Sequence, residues 1–141
     1  MALPIVNISH LIPQKKPFVM VSTLQQFSKK EVISSLTITK ENIFTSNNTF
    51  TEPGLIENMA QTVALHTGYD YFLKGKDAPT GYIGSIKKVT IERLPKVNET
   101  IITKATILVE MMGVTMVDVV VFDTNKNTLA SSQMKTVIAN S

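Results

Sequence analysis

The sequence predicts an α+β domain in which one long helix is wrapped by a strongly curved antiparallel sheet of about six strands. Three observations carry this expectation. The stretch "EPGLIENMAQTVALHTGYDYFL" is apolar or small on nearly every side, and a helix without a polar face is buried all round. Strand-like runs precede it and β-branched runs follow it, separated by short turn signals, a spacing that favours hairpins and antiparallel pairing. With one helix to cover all of these strands, curving the sheet around it is the economical solution.

Along the chain, "ISHLIP" reads as a short turn or helix, and Phe18 to Phe27 and Glu31 to Ile38 read as strands separated by "SKK". Alternation in "VISSLTIT" fits a strand with one buried face, because side chains switch faces at each residue. "TSNNTFTEPG", dense in Thr, Ser and Asn, reads as a loop. Pro53, beside Thr51 and Glu52, suits a helix start: its φ is already helical and it lacks the N–H that would go unpaired there. The helix runs from about Gly54 to Leu73 and stops at "KGKDAPTG". Four strands then follow in "GYIGSIKKVTIERL", "ETIITKATILVEMMG", "VTMVDVVVFDTNKNT" and "LASSQMKTVIAN", with turns at "LPKVNE", "MMG" and "DTNKN". Small residues on the helix, Ala60, Ala64 and Gly68, let strands approach closely. Val119 to Phe122 is nearly continuous apolar sequence, fitting a strand buried on both faces or at a subunit interface. Asp118 beside it is either an edge charge or a second site acid.

Composition narrows the function classes. At 141 residues, with 43% hydrophobic and 18% charged residues, the chain fits one domain over 1–141. It has no apolar run of about 18 residues that could span a bilayer. The opening "MALPIVNISHLIP" lacks the basic start and small-residue cleavage site of a signal peptide, so a cytoplasmic location is expected. The absence of cysteine excludes disulfides and thiolate chemistry, and the two histidines, His10 and His66, are too few and too far apart for a usual zinc site. The net charge of +3 is modest, and the lysine pairs lack aromatic interleaving, which argues against nucleic acid. Methionines such as Met20, Met59, Met111, Met112, Met116 and Met134 fill the core or line an apolar slot.

Glu57 is the residue that raises a question of function. A carboxylate on a helix buried all round is costly unless it is paired or has a task. At about 100° per residue, with Glu57 at zero, Gln61 falls near 40°, Gly68 near 20° and Ala64 near −20°, while His66 falls near 180°. Glu57 and Gln61 thus share a stripe followed by small residues, which reads as an acyl-chain slot with a proton donor at its mouth. The bland alternative is an acid that satisfies the free N–H groups of the first helical turns.

"PGLIENMAQ", preceded by "LIPQKKPFVMV", resembles the hot-dog-fold 3-hydroxyacyl-acyl-carrier-protein dehydratases. The likeness is to the FabZ type and, more closely, to the ApeP-like relatives of aryl polyene and flexirubin-like pigment pathways. It implies a long helix in a curved antiparallel sheet over Ile8 to Ile138, a place in fatty acid or aryl polyene biosynthesis, and a dimer or larger even oligomer. By this resemblance Glu57 is the catalytic acid, Gln61 the glutamine that follows it, and Gly54 the helix-start glycine near the thioester carbonyl. Pro53 and Ala64 join Gly54 and Gln61 as expected substrate contacts. In the family reaction a histidine removes the α-proton of a 3-hydroxyacyl thioester, the acid protonates the departing hydroxyl, and a trans-2-enoyl thioester remains.

This chain departs from that pattern. Where FabZ-type enzymes have Gly-His-Phe-Pro-Gly it has "NNTFTEPG", and where the ApeP-like relatives have Leu-Pro-His it has Ile12-Pro13-Gln14. Gln14 cannot act as a base, and His10 is the only candidate to replace the histidine. Three functions follow: a dehydratase in which Glu57 carries both proton steps or is helped by Gln14, a degenerate hot-dog subunit paired with an active one, and a thioesterase in which Glu57 activates water. Acyl carrier protein, which is acidic, is the expected partner. Lys15, Lys16, Lys87, Lys88 and Arg93 are its candidate contacts, each equally explicable as solubility charge. No metal or cofactor is implied beyond the substrate's phosphopantetheine arm.

Overall fold

In the computed structural model, which describes residues 3–139, nine elements follow one another. They are β1 (Thr23–Ser28), β2 (Glu31–Thr37), β3 (Thr45–Ser46), β4 (Thr49–Phe50), α1 (Glu52–Leu73), β5 (Gly81–Ile91), β6 (Thr100–Met111), β7 (Val114–Phe122) and β8 (Thr128–Ile138). Met1 and Ala2 of the opening segment, and Asn140 at the end of the last strand-like run, lie outside the described residues. Six strands form one antiparallel sheet in the order β1-β2-β6-β7-β8-β5. The helix packs against the sheet, on β2, β6, β7 and β5.

Register shows how one face is filled. Val117, Val119 and Val121 of β7 are fully buried, and Val117 pairs with Met134 of β8, which is also buried. Ile101 and Ala105 of β6 continue the same face, since residues two apart share a side of a strand. β7 is therefore buried on one face only: Val120 and Phe122 are half-buried and Asp118 is exposed. Asp118 is not an edge charge either, because β7 is central; it sits on the outer face, where Gln133 Nε2 donates to it at 3.3 Å. Met20, Met59 and Met134 are core residues, whereas Met111 and Met112 are exposed at the β6–β7 turn.

The helix boundaries follow local chemistry. Thr51 precedes the first turn with extended φ and ψ, and Pro53 occupies that turn. At the other end Gly75, at φ +69°, takes the left-handed conformation that commonly ends helices, and its N–H reaches the Phe72 carbonyl.

Three local features differ from the sequence expectation. Phe18 lies in a bend and Val19 to Val21 carries no strand pairing, so the first strand begins only at Thr23, just after the Ser22 N–H reaches the Ser35 carbonyl of β2 at 2.8 Å. The expected loop before the helix holds the β3–β4 hairpin, turned by Asn47 and Asn48 at φ 52° and 63°; asparagine tolerates two such successive residues in a tight hairpin turn. Gly68 admits the N-terminal segment rather than a strand. A Cβ there would lie 1.8 Å from the Leu11 carbonyl oxygen, so no other residue allows this approach.

The two sheet edges differ. Outside β1, Ile5 exchanges both backbone hydrogen bonds with Leu24, each 2.9 Å. Outside β5 nothing is paired among the described residues, and Tyr82, Ile83, Ile86 and Val89 are exposed along it.

Arg93 is engaged within the chain. Its guanidinium bonds Glu99 through two nitrogens, at 2.8 and 3.0 Å, and reaches Asp123 at 3.4 Å. The hydrogen bond from Arg93 is the main cause that holds Glu99 below its ordinary 4.5. Asp123 is held below 3.8 chiefly by the Asn127 amide, with Arg93 contributing less. Carboxyls lowered in the folded state stabilise it above their ordinary values, and that stability is lost as pH falls through the lowered ones. Arg93→Met is expected to cost up to about 1 kcal/mol at neutral pH. Thermal melts at pH 7 and pH 3 check this: the gap from wild type narrows in acid, and a gap that stays constant refutes the account.

Candidate active site

The site begins where chain without a strand partner passes beside the helix. Phe18 is exposed and Met20 buried, and helix side chains satisfy the Phe18 carbonyl and both backbone groups of Met20. Gln61, 1% exposed, accepts from the Met20 N–H at 2.6 Å and donates through Nε2 to the Phe18 carbonyl at 2.9 Å. Asn58, fully buried, donates to the Met20 carbonyl at 2.7 Å and accepts from the Thr103 hydroxyl at 2.6 Å. Thr62 closes the layer, bonding the Asn58 carbonyl and Ser34 Oγ.

Those backbone partners orient the Gln61 amide. A backbone N–H can only donate and a carbonyl can only accept, so the oxygen of Gln61 faces Met20 and its nitrogen faces Phe18. The same nitrogen donates to Glu57 Oε2 at 2.8 Å. One carboxylate oxygen is thereby held against the helix, and Oε1 remains for other partners.

Glu57 is half-buried on the wall of a cavity of about 270 Å³. Glu57, Ala60, Val63, Ala64 and Thr67 form its helix side, Leu11, Pro13 and Gln14 close one flank, and Gly81 to Ile83 of β5 with Thr136 to Ile138 of β8 form the other. Most of the lining is apolar, so the cavity suits a hydrocarbon chain with polar chemistry at the Glu57 end.

The structure brings together some of the residues singled out from sequence and separates others. Glu57, Gln14 and Ala64 line the cavity together. Gln61 lies behind Glu57 and has no surface for a substrate, so its place is that of a positioning residue. Gly54 is buried away from the cavity, where a Cβ would meet the Phe50 ring at 2.6 Å, and Pro53 is exposed outside it. His10 does not reach Glu57 within the chain. It is exposed and packs edge-on against Phe72, 5.1 Å between ring centroids, and Phe72 is 15 residues beyond Glu57, about 22 Å along the helix axis. His66 is buried on the opposite face, stacked on Phe27 with Nε2 2.8 Å from the Ser28 carbonyl. Lys15 and Lys16 are exposed beside Gln14, Lys15 donating to the Ser9 carbonyl at 2.7 Å. Lys87 and Lys88 are exposed on β5, and Arg93 is tied into its ion pairs. Asn58 is the residue that sequence reasoning missed; a buried amide beside a catalytic-type acid looks like any polar helix residue.

Among the described residues no cluster of His, Cys, Asp and Glu could hold a metal ion, and no helix is long and apolar enough to cross a membrane.

A central helix in a six-stranded antiparallel wrap, with an acid at its start facing an apolar cavity, defines the hot-dog class. Solved structures of that shape agree. The dehydratase heterocomplex ApeI:P from Xenorhabdus doucetiae matches with TM-score 0.89 at 14% identity, over 99% of this chain and 93% of that one. An uncharacterized protein, PH1136, from Pyrococcus horikoshii matches at 0.72 and 12%, over 99% and 97%. A hypothetical thioesterase with coenzyme A from Streptococcus pneumoniae matches at 0.67 and 8%, over 83% and 84%. No curated protein matches significantly in sequence. The family model of the ApeP-like proteins, described as ApeP dehydratase, matches residues 6–140, and the chain belongs to that family.

Replacing the Gln61 amide leaves the Met20 N–H, the Phe18 carbonyl and Glu57 without their partner, and each orphaned buried group costs about 1–3 kcal/mol. Gln61→Leu is expected to lower stability by roughly 2–4 kcal/mol after the segment relaxes. Urea titration measures it, and a loss under about 0.5 kcal/mol, the range of ordinary surface substitutions, refutes the clamp.

Proposed function

We propose that this chain eliminates water from a 3-hydroxyacyl thioester to give a trans-2-enoyl thioester. The observation that carries the reading is the placement of Glu57: one oxygen is fixed by Gln61 and the side chain stands on the wall of an otherwise apolar cavity. Membership of a dehydratase family supports the same reaction type.

A single carboxylate suffices for the proton balance. Glu57 Oε1 takes the hydrogen from Cα, the Cα–C3 double bond forms as the C3–O bond breaks, and the proton is returned to the departing hydroxide as water. The carboxylate ends as it began. Lacking a separate histidine base, the chain is expected to be slow, because a positioned general base typically contributes about 10²–10⁴-fold. Acyl carrier protein is the proposed vehicle, with exposed Lys15 and Lys16 next to the Gln14 flank of the cavity and Lys87 and Lys88 on β5 as its basic contacts.

A second reading is favoured by a different observation. No histidine lines the cavity, and β5 is an apolar edge without a partner among the described residues. A protein that pairs this edge with a histidine-bearing hot-dog subunit would contribute structure and part of a site rather than independent turnover. An unpaired edge of this kind is an aggregation hazard that proteins normally cover, so a dimer through β5, with itself or with such a subunit, belongs to both readings. The ApeI:P protein is itself a heterocomplex.

Mass spectrometry of the purified chain with short and long 3-hydroxyacyl carrier-protein substrates tests the choice. Enoyl product from wild type, lost in Glu57→Gln and raised by about two orders of magnitude in Gln14→His, is the expected outcome. Turnover seen only in Gln14→His, or only after adding a homologous active subunit, establishes the second reading. Release of free acid makes the chain a thioesterase.

A further inference from the structure

The two glutamines near Glu57 are in opposite situations. Every polar atom of the Gln61 side chain is engaged, whereas the carbonyl oxygen of Gln14 is buried and accepts a hydrogen bond from no described residue. Both belong to one constellation, since Gln14 lines the same cavity as Glu57. A buried acceptor left without a donor is unusual and costly in a folded protein. Such an atom points to a donor that arrives with an occupant.

We infer that Gln14 is a specificity-determining residue: its carbonyl takes the hydrogen of the substrate's 3-hydroxyl, so the cavity prefers a 3-hydroxyacyl chain to a saturated chain of equal length. The inference rests on the hydroxyacyl reading above and adds to it what selects the hydroxyl.

Three features support the assignment. First, nothing in the described chain holds the Gln14 amide, and the terminal torsion of a glutamine is broad. Its oxygen, shielded in the structure, can turn to an incoming donor without breaking a bond. Second, the side-chain hydroxyls of the cavity lining, on Thr67, Tyr82 and Thr136, do not donate to the Gln14 oxygen. Third, the chemistry of the two polar groups is complementary to a hydroxyl. Glu57 Oε2 is already bonded to Gln61, and its other oxygen must take a hydrogen from Cα and return it to the leaving oxygen. A hydroxyl is donor and acceptor at once. With its hydrogen on Gln14, it keeps that hydrogen off Glu57 and turns a lone pair toward the returning proton. A methylene leaves the Gln14 oxygen as it was, and a ketone, only an acceptor, calls on the amide nitrogen instead.

Isothermal titration calorimetry of the full chain tests this with amide analogues of acyl-pantetheine, in which nitrogen replaces the thioester sulfur and the α-hydrogen is no longer acidic enough to react. Three analogues of one chain length are compared: 3-hydroxyacyl, 3-ketoacyl and saturated. Wild type is expected to bind the 3-hydroxyacyl form roughly tenfold to a hundredfold more tightly than the saturated form. Gln14→Met, similar in shape but without the carbonyl, is expected to bring that ratio close to one. The wild-type series needs no variant and stands if Gln14→Met fails to fold. Equal binding of all three, a preference for the ketone, a ratio that survives Gln14→Met, or no binding of any analogue overturns the inference. The two proposals fail separately: a Gln14-dependent ratio without enoyl product removes the reaction and leaves the recognition, and enoyl product without the ratio does the reverse.

Discussion

The structure around the site depends on one buried amide. Gln61 is a polar side chain on a helix that is otherwise apolar, and in isolation its burial would be destabilising. It is tolerated because an unpaired length of backbone, Phe18 to Met20, passes beside it with the complementary groups. The arrangement is mutual: no strand satisfies the Phe18 carbonyl or the Met20 N–H, and the amide finds in them the partners its burial requires. Asn58, one turn earlier, repeats the solution at the Met20 carbonyl and connects it to Thr103 of β6. Removing either member of such a network leaves its partners buried and unsatisfied, which is why polar networks of this kind specify one arrangement.

The position of Glu57 follows from that clamp. Its Oε2 receives a hydrogen from the same Gln61 nitrogen that holds Phe18, so the carboxylate is oriented by the element that fixes the N-terminal segment. Further along the helix, the absence of a side chain at Gly68 lets the Leu11 carbonyl approach, and three residues later the chain places Gln14 on the cavity wall. Two features of one helix, an amide at position 61 and a glycine at position 68, thus bring Glu57 and Gln14 to one cavity from segments more than 40 residues apart in sequence.

Much of this was legible from the sequence where local chemistry decides. The apolar circumference of the helix, Pro53 at its start and the "KGK" stop locate α1 to within two residues, and the β-branched runs after it locate β5 to β8. Glu57 and Ala64 were legible as cavity residues because helical periodicity alone places them on one stripe. What depended on a distant partner was not. Gln61 shares the stripe of Glu57, yet whether it meets a substrate or a backbone depends on where Phe18 to Met20 runs. His10 is near Gln14 in sequence, but the turn between them sends it toward Phe72 at the other end of the helix. Arg93 reads as a free cation until Glu99 and Asp123 are brought to it by separate loops. The Asn47–Asn48 turn has a local signal, two residues tolerant of positive φ, which composition alone had classed as loop.

The asymmetry of the sheet edges bears on the same cavity. On the β1 side Ile5 exchanges a pair of backbone hydrogen bonds with Leu24, so that edge is partnered at this point within the chain. On the β5 side Gly81 to Ile83 both line the cavity and belong to the uncovered edge. A strand laid against β5 would therefore lie beside the cavity as well as the sheet, and what it contributes there would be set by its own residues. The chain supplies an acid whose orientation is fixed internally, and an amide whose oxygen is not yet bonded.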